Sequence, residues 1–421
     1  MPDGGAYHRF GAQGRVRILL LLASLQGGGA ERVAVHLLNR CDPALMNVRL
    51  GLLQKTGPYL AHADPSRIDV SPIQSRWLDY DGANSTFYRP DRLLAGAVLG
   101  PTNAAMMIRG FRPDVVMSFT KGFNLIAYAA RSFWGPSRPR WIAREGNNTL
   151  AVIEDEVSNP LARRVVTGLV KGCYRTADCV LANSRKMALG LARDLDVDPR
   201  KLRVINNPID IERIEALSAE PIRQPPTRPF VVTVGRLEYQ KGQDVLLRAF
   251  AGSPACRDLD LVILGKGSQE KTLKALAQEL GIADRVRFPG FLPNPWAYIA
   301  KARLFVLPSR WEGFPTVVAE ALACGAPVLA TDCDFGPSEI VEHGQSGWIV
   351  PHDDVAAFRG AMDMILSRPD LAGTLAARGR QRVLQFGIDR MVAEYSSLFM
   401  EQAAERRASL AERGELALVE A

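Results

Sequence analysis

Short apolar runs alternate with amphipathic stretches along this chain, and the alternation begins twice. The runs of the first half are "RILLLLAS", "VRLGLL", "DVVMSF", "RWIAR", "CVLANS" and "LRVINN". Those of the second half are "FVVTVGR", "LDLVILG", "VRFPGF", "LFVLPS", "PVLATD" and "GWIVP". Short, nearly continuous apolar runs between helical patterns are typical of parallel strands that are covered by helices on both faces. The pattern therefore predicts an α/β fold built from two doubly wound parallel sheets.

A proline-rich stretch separates the two halves of the pattern. The segment "EPIRQPPTRPF" (residues 220–230) has few apolar residues and is typical of a linker. A chain of 421 residues is long enough for two cores. We predict a disordered tail over 1–15, a first domain over 16–224 and a second over 225–385. A C-terminal helix over 386–421 is expected to pack back on the first domain. Ligands are expected in a cleft between the two domains, at the carboxyl ends of the strands.

Positive charge is concentrated in the first half. Residues 1–224 contain 30 Lys and Arg against 21 Asp and Glu, whereas the remainder contains 22 against 24. This imbalance indicates an anionic partner for the first half: a membrane surface, a phosphorylated acceptor or nucleic acid. No basic run is interleaved with aromatic residues, so nucleic acid is the least favoured and we expect no nucleic-acid partner. We expect an anionic membrane surface.

Three further features narrow the class of protein. The apolar run at Arg15–Leu25 is too short for a membrane span and is followed by glycines, so we interpret it as a buried strand and not as a signal peptide. The six cysteines are scattered without a C-x-x-C pair, which is typical of buried thiols in a reducing compartment. The five histidines form no ligand pattern, so we expect no metal site. A cytoplasmic protein is expected.

Two glycine-containing turns are candidates for phosphate binding. The triplet Gly27–Gly29 lies between the first predicted strand and a helix, where small residues let backbone N–H groups approach an anion. Alone, such a triplet is also an ordinary turn. In the second half Gly235-Arg236 ends a strand and Lys241-Gly242 opens a helix. Two cations there suit a diphosphate whose charge grows as a bond breaks, although a pair of solvated surface cations is the alternative.

Two carboxylates lie eight residues apart in "SRWEGFPTVVAE". Glu312 follows a predicted strand, and Glu320 lies inside a short predicted helix that stops at Gly325. A helix on the surface accepts Glu readily. A function for these two carboxylates therefore requires that other parts of the chain indicate a bound ligand. A second acidic pair, Asp332 and Asp334, matches a D-x-D metal pattern. Without other ligands, loop carboxylates are the preferred interpretation of that pair.

Read together, these segments resemble the retaining glycosyltransferases of family 4, which have the GT-B fold of two Rossmann-like domains. The resemblance rests on "GGGAERV", "ADCVLANS", "KLRVINNPID", "VVTVGRLEYQKG", "LVILGKG", "GFLPN", "VLPSRWEGFPTVVAEALACGAPVLATDCDFGPSEIV" and "GWIVP". They occur in order over roughly residues 16 to 400. Each motif alone is weak, but the ordered set is specific.

The resemblance implies roles for individual residues. Glu320 would hold the ribose hydroxyls of a nucleotide sugar, and Glu312 would face the transferred sugar. Arg236 and Lys241 would hold the donor diphosphate, and with Glu312 they form the implied catalytic set. The full implied donor site comprises Gly28, Gly29, Arg236, Lys241, Phe291, Leu292, Glu312, Gly313, Phe314, Pro315, Thr316 and Glu320. The family needs no cofactor, since the nucleotide diphosphate sugar is a substrate.

The chain departs from many family members at one place. They carry a histidine late in the first domain, whereas the matching segment here, "WIAREGNN", has none. It is similar to the "SERN"-type segment of the subgroup that builds lipid-linked bacterial glycans. Gly28, Arg144, Glu145 and Asn147 are therefore the candidate contacts of the acceptor or the sugar.

The resemblance implies a retaining transferase that moves a hexose or N-acetylhexosamine from a nucleotide sugar, a UDP-sugar for example, to a glycan or lipid-linked glycan acceptor. The product would enter polysaccharide or lipopolysaccharide biosynthesis, at the inner face of the cytoplasmic membrane. Two alternatives remain open. One is a different enzyme on the same architecture, such as a sugar-nucleotide epimerase or a phosphorylase, and the other is a catalytically silent nucleotide-sugar sensor.

Overall fold

The computed structural model of the protein describes residues 14–26, 28–73, 90–135, 138–222 and 224–416, with the backbone alone for 90–97. The predicted tail over 1–15 lies outside the described residues except for 14 and 15, and so does Gly27. The chain divides into two compact units, and each is described by itself. One comprises Met1–Pro208 with Asp389–Ala421, and the other Ile209–Ile388.

The first unit contains a parallel sheet. Within its described residues the strand order is β3-β2-β1-β4-β5-β6-β7. The strands are β1 (Val16–Leu22), β2 (Met46–Leu52), β3 (Ile68–Val70), β4 (Val115–Phe119), β5 (Arg140–Glu145), β6 (Cys179–Ala182) and β7 (Leu202–Val204). The helices are α1 (Gly29–Arg40), α2 (Pro90–Phe111), α3 (Thr120–Ala130), α4 (Thr149–Glu156), α5 (Pro160–Thr176) and α6 (Arg185–Leu195).

The second unit repeats this architecture with the described strand order β10-β9-β8-β11-β12-β13, again all parallel. The strands are β8 (Phe230–Val234), β9 (Asp260–Leu264), β10 (Val286–Gly290), β11 (Leu304–Leu307), β12 (Val328–Asp332) and β13 (Trp348–Pro351). The helices are α7 (Ile211–Ser218), α8 (Gln243–Gly252), α9 (Glu270–Glu279), α10 (Trp296–Lys301), α11 (Thr316–Ala323), α12 (Pro337–Ile340), α13 (Val355–Leu366) and α14 (Pro369–Val383).

The central strands are buried on both faces, which is why their sequences are almost continuously apolar. Every residue of β4, β9 and β11 is buried. Helices cover both faces of such a sheet, so alternation with polar residues is not required. The prediction of two doubly wound parallel sheets is confirmed. One short strand, β3, was not predicted, because its three residues include an aspartate and give no apolar run.

The division between the units differs from the predicted boundary after residue 224. Helix α7 belongs to the second unit, where Ile214 is buried in the core cluster that also contains Phe314. Asn294 Nδ2 donates to Leu217 O at 2.9 Å and fixes the end of the helix there. The proline-rich stretch therefore lies inside the second unit.

The last helix, α15 (Ile388–Glu412), belongs to the first unit from Asp389 onward. Its Arg406 donates through Nη1 to Asp114 Oδ1 at 2.7 Å, and both side chains are buried. Its Tyr395 is fully buried and accepts a hydrogen bond from Arg144 Nε at 2.9 Å. These contacts attach the C-terminal helix to β5 and to the residue that precedes β4.

Candidate functional site

The order of each sheet reverses at one point, and strand ends on either side of such a point are the usual ligand site of a doubly wound fold. In the second unit the reversal lies between β8 and β11. Arg236 follows β8, and Glu312 follows β11. Arg236 and Glu312, two of the residues predicted to bind the nucleotide sugar, therefore lie at the edge of the sheet where a ligand is expected.

Glu312 lies in a buried polar cluster on the loop that follows β11. Its carboxylate Oε1 accepts from Ser309 Oγ at 2.7 Å, and the residue is 6% exposed. The Ser309 carbonyl in turn accepts from Thr331 Oγ1 at 2.5 Å, which ties the loop to the end of β12. A buried carboxylate needs such donors, because leaving it unpaired costs several kcal/mol. The loop therefore presents one oriented carboxylate.

Lys241 supplies the charge partner of this carboxylate. Its Nζ lies 2.6 Å from Glu312 Oε1. The next residue, Gly242, has φ +61°, and a Cβ there would lie 2.1 Å from Pro308 O. Only glycine fits this turn, so the turn packs against the β11 loop and brings the ammonium to Glu312. A Cβ added to Gly235 would lie 3.6 Å from the side-chain methylenes of Lys241, so the lysine side chain passes close to this glycine.

Arg236 is exposed beside this pair and is oriented by glutamines. Its Nη2 donates to Gln240 Oε1 at 3.1 Å, and its carbonyl accepts from Gln243 Nε2 at 2.9 Å. Gln240 Nε2 donates to Trp311 O at 2.8 Å, so the same glutamine joins Arg236 to the Glu312 loop. The structure thus brings Arg236, Lys241 and Glu312 into one bonded cluster.

Glu320 lies in the second turn of α11 and is 3% exposed. Its Oε2 accepts from Trp296 Nε1 of α10 at 2.9 Å. A carboxylate buried in a largely apolar helix is expensive unless it is bonded, and here the indole supplies one donor. The neighbouring Cys324 thiol has its pKa raised, first by burial and then by the charge of Glu320. This residue is therefore not an ordinary surface Glu.

The segment between the two carboxylates begins with three buried residues, Gly313, Phe314 and Pro315. Phe314 is buried and packs on Phe386, with ring centroids 5.4 Å apart. Pro315 precedes α11, which begins at Thr316. Gly336, with φ +93°, approaches so closely that a Cβ there would lie 2.5 Å from Gly313 O. Burial and close packing therefore fix this loop in place.

The "GFLPN" loop follows β10. Gly290 has φ +81°, a conformation that favours glycine, and ends the strand. Phe291 is 64% exposed, whereas Leu292 packs against the core cluster of the unit. The loop is therefore anchored by Leu292 and presents an aromatic ring to its surroundings.

In the first unit, Gly28 and Gly29 lie where predicted, at the beginning of α1. A Cβ on Gly28 would lie 2.6 Å from Glu31 Oε2, so the glycine leaves room for that carboxylate. Burial raises the pKa of Glu31, and a backbone hydrogen bond and then the positive charges of Arg144 and Arg32 partly offset this effect. Glu31 was not identified from the sequence, where it is an ordinary acid in the first turn of a helix.

The three candidates in "WIAREGNN" have different surroundings. Arg144 is 1% exposed and donates through Nη2 to Asn207 Oδ1 at 2.5 Å. Glu145 is also buried and accepts from Tyr174 Oη at 2.5 Å and from the Asn147 N–H at 3.2 Å. Asn147 is partly exposed. Glu145 therefore shapes the loop that presents Asn147, and of the three Asn147 is the side chain accessible for contact.

Sequence reasoning missed the residues that orient the site. They are neutral or aromatic side chains whose spacing carries no recognisable motif: Gln240, Gln243, Ser309, Trp296, Tyr174 and Asn207. The signal that could have identified Ser309 is its position two residues after a buried strand. The others become visible only when distant parts of the chain are brought together.

The described part of the chain was expected to hold neither a metal site nor a membrane span. There, no three His, Cys, Asp or Glu side chains converge in a way that could hold a metal ion. Asp332 and Asp334 are exposed. None of the described helices combines the length and the apolar character that a bilayer crossing requires.

Comparison with known proteins gives a consistent result for both halves. Residues 27–213 match the family model described as Glycosyltransferase Family 4, and residues 217–382 match the one described as Glycosyl transferases group 1. A solved structure of sucrose-phosphate synthase from Thermosynechococcus elongatus is similar in fold, with a TM-score of 0.73 and 22% identity. The similarity covers 93% of this chain and 100% of that one.

Two curated relatives are similar in sequence. One is the N-acetylgalactosamine-N,N'-diacetylbacillosaminyl-diphospho-undecaprenol 4-alpha-N-acetylgalactosaminyltransferase of Campylobacter jejuni, 32% identical over 62% of this chain and 69% of the relative. The other is the lipopolysaccharide core biosynthesis glycosyltransferase LpsE of Rhizobium meliloti, 30% identical over 53% of this chain. The matched region is 65% of the length of LpsE, slightly less than two thirds.

Proposed function

This chain belongs to glycosyltransferase family 4, and we propose that it moves a hexose or N-acetylhexosamine from a nucleotide diphosphate sugar to a lipid-linked glycan, with retention of the anomeric configuration. The chain is a glycosyltransferase with the GT-B fold. The proposal concerns the donor, the acceptor and the stereochemical course.

The observation that carries the proposal is the cluster of Arg236, Lys241 and Glu312 at the strand ends of the second unit. Its two cations belong to one turn, and that turn is fixed by Gly242 and by glutamine hydrogen bonds. Fixed cations stabilise a leaving group whose negative charge grows in the transition state. A nucleoside diphosphate is such a leaving group. Its phosphates would compete with Glu312 for Lys241 when the donor binds.

The remaining donor contacts follow from this placement. Glu320 would accept hydrogen bonds from the ribose hydroxyls, and the exposed ring of Phe291 would lie against the base together with Leu292. The main chain of Gly313–Thr316 and the loop at Gly28 and Gly29 would border the sugar and the phosphates. Glu312 would face the transferred sugar.

In the proposed step the bond between the anomeric carbon and the phosphate oxygen breaks, and the diphosphate departs towards Arg236 and Lys241. The acceptor hydroxyl enters on the same face, and its oxygen forms the new glycosidic bond. The departing phosphate oxygen takes the hydroxyl proton, so the balance is complete without an enzymic base. This route suits a first unit whose "WIAREGNN" segment has no histidine.

The relatives support a lipid-linked acceptor. The Campylobacter enzyme acts, by its name, on a diphospho-undecaprenol glycan, and LpsE serves lipopolysaccharide core biosynthesis. The basic first half fits an acceptor whose diphosphate lies at a membrane surface. We propose that the protein works in the cytoplasm, at the inner face of the cytoplasmic membrane, in polysaccharide or lipopolysaccharide biosynthesis.

The proposal is tested by incubating the protein with a panel of nucleotide diphosphate sugars and a polyprenyl-diphosphate-linked glycan, and by analysing the products by mass spectrometry. We expect one donor to give a glycan that is one sugar longer and to release the nucleoside diphosphate. Proton NMR of the new linkage should show the anomeric configuration of the donor. EDTA should leave turnover largely intact, because fixed cations take the place of a metal. A free epimerised sugar without transfer would contradict the proposal, and so would inversion.

A further inference from the structure

Helix α5 of the first unit exposes a stripe of large apolar side chains. Leu161 is 72% exposed, Val165 56% and Leu169 49%. Residues four apart lie on one face of a helix, so these three form a continuous line over two turns. A soluble surface helix normally places polar residues there. We call Leu161, Val165 and Leu169 the apolar stripe.

The opposite face of α5 explains why the stripe is not turned inward. Val170, Cys173 and Tyr174 are buried, and Tyr174 donates to the buried carboxylate of Glu145. Asn159 caps the beginning of the helix by accepting from the Leu161 N–H at 2.9 Å. The helix is thus fixed in its orientation, and the stripe cannot be covered by rotating it.

The charge of α5 has a single sign. The helix contains Arg163, Arg164, Lys171 and Arg175 and no acidic residue. Lys171 and Arg175 share one carboxylate from outside the helix, that of Asp196, at 2.8 and 3.6 Å, so the cations still outnumber their acidic partner. Arg163, Arg164 and Lys171 line a groove of about 540 Å³ along one side of the helix. The adjacent helix α6 exposes Leu189 beside further cations. Apolar residues flanked by Lys and Arg are the composition of helices that lie in a membrane interface.

We propose that α5 is the surface by which the first unit docks on an anionic lipid bilayer. The apolar stripe enters the boundary between head groups and acyl chains, and the flanking cations contact lipid phosphates. A second copy of this chain fits less well, because two such helices would bring like charges together. The inference rests on the proposed function for its purpose, since a lipid-linked acceptor must be met at a membrane.

The same helix leads to the candidate acceptor loop. Tyr174 of α5 holds Glu145, and Glu145 accepts from the N–H groups of Gly146 and Asn147. A bilayer that binds α5 therefore lies against an element bonded to the loop that presents Asn147. Docking would hold this loop at a fixed distance from the lipid phosphates.

The first test compares vesicle binding of the intact protein with that of Leu161→Ser/Val165→Ser/Leu169→Ser, using vesicles of phosphatidylcholine with phosphatidylglycerol. Each exposed side chain removed from water contributes about a fivefold factor, so we expect the loss of all three to weaken binding about 100-fold. The matched control is Leu384→Ser, because Leu384 is 58% exposed but lies in the second unit. The control should bind as the wild type does.

A second test separates the cations from the stripe. Arg164→Gln should weaken binding to the anionic vesicles about fivefold at low salt, and the difference should shrink as salt is added. Arg257→Gln, a change of an exposed arginine in the second unit, is the control and should have no effect. Equal binding of the wild type to purely phosphatidylcholine vesicles would contradict the electrostatic part of the inference.

A third test reports insertion directly. All six native cysteines are buried, so a Val165→Cys variant can be labelled selectively with an environment-sensitive fluorophore. We expect its emission to shift to the blue and its intensity to rise on anionic vesicles. The same label on a Leu384→Cys variant should not respond. An unchanged spectrum at position 165, while the protein is bound, would overturn the assignment of α5.

The outcomes separate this inference from the proposed function. The triple variant should keep wild-type turnover on a water-soluble analogue of the acceptor, because none of the three stripe residues is a candidate site residue. If the triple variant floats with vesicles as the wild type does, α5 is not the docking surface and the proposed reaction stands. If the stripe instead mediates a concentration-dependent dimer that the variant abolishes, the occupant is a second copy. If no donor is turned over by any variant, the proposed function fails, whatever the vesicles show.

Discussion

Lys241 is placed to serve two partners in turn. In the structure its ammonium neutralises the buried carboxylate of Glu312, and the proposed reaction gives it the donor diphosphate as well. Such a pair keeps both charges paired before the ligand arrives, which limits the cost of burying them. Arg236 differs because it is exposed and its guanidinium donates to a neutral side chain, that of Gln240. The two cations should therefore respond differently when they are removed.

Replacing either cation with methionine should lower turnover more than it weakens donor binding. The charge that the cations meet increases as the glycosidic bond breaks, so the loss should appear mainly in kcat, by about 10²–10³-fold. Steady-state kinetics gives kcat, and calorimetry gives Kd for the nucleoside diphosphate. Lys274→Met, in the same unit but paired with Glu270 on the surface, is the control. Wild-type kcat in both Arg236→Met and Lys241→Met would contradict the assignment.

The raised pKa of Glu31 predicts that the wild type and the Glu31→Gln variant differ in stability by an amount that depends on pH. Its pKa is raised above 4.5 by burial, so the folded state binds its proton more tightly than the unfolded state does. Below about pH 4.5 the group is neutral in both states, and it destabilises the fold increasingly as pH rises through the folded pKa. Glu31→Gln should therefore raise the unfolding midpoint at pH 7 and have little effect near pH 4.5. Thermal unfolding between pH 4.5 and 8 measures this, and a difference that does not depend on pH would contradict it.

Among the elements, those defined by local pattern could be predicted and those defined by distant contacts could not. The sequence runs that form β8 to β13 are short and largely apolar, and a short helix that stops at Gly325 was expected from the sequence. The structure has α11 over Thr316–Ala323 and φ +71° at Gly325. No pattern indicated that Lys241 and Glu312 touch, because 71 residues separate them. The turn at Gly242 that joins them depends on the position of Pro308 O.

Helix α15 should contribute to the stability of the first unit through one buried ion pair. Arg406→Leu removes the ion-pair partner of Asp114, whose side chain is 7% exposed and still accepts from the Arg17 N–H. A buried charge that loses its ion-pair partner costs about 3–5 kcal/mol. Arg203→Leu breaks another pair of the same helix, with Glu401, in which both side chains are about 40% exposed. That pair should contribute less than about 1 kcal/mol. Denaturant unfolding followed by a probe in the first unit compares them, and similar losses would contradict the account.

At the scale of the whole molecule, the repeated strand order was predictable and the path of the chain between the units was not. Both halves give the same apolar alternation, so two doubly wound sheets follow from the sequence. The proline-rich segment was predicted as the boundary because it is poor in apolar residues. The units instead divide between Pro208 and Ile209, since Ile209 and Ile214 are buried in the core of the second unit.

The central claim is that the second unit binds a nucleoside diphosphate with Glu320 on the ribose and the cations on the phosphates. Calorimetric titration of the intact protein and of Glu320→Ala with a panel of nucleoside diphosphates tests it most directly. We expect one nucleoside diphosphate to bind the wild type and the variant to lose about 1.5–3 kcal/mol of that affinity, because a charged acceptor of the ribose hydroxyls is gone. Equal affinity in the wild type and in Glu320→Ala would contradict the claim and leave Glu320 with a structural role, as a buried acceptor for Trp296.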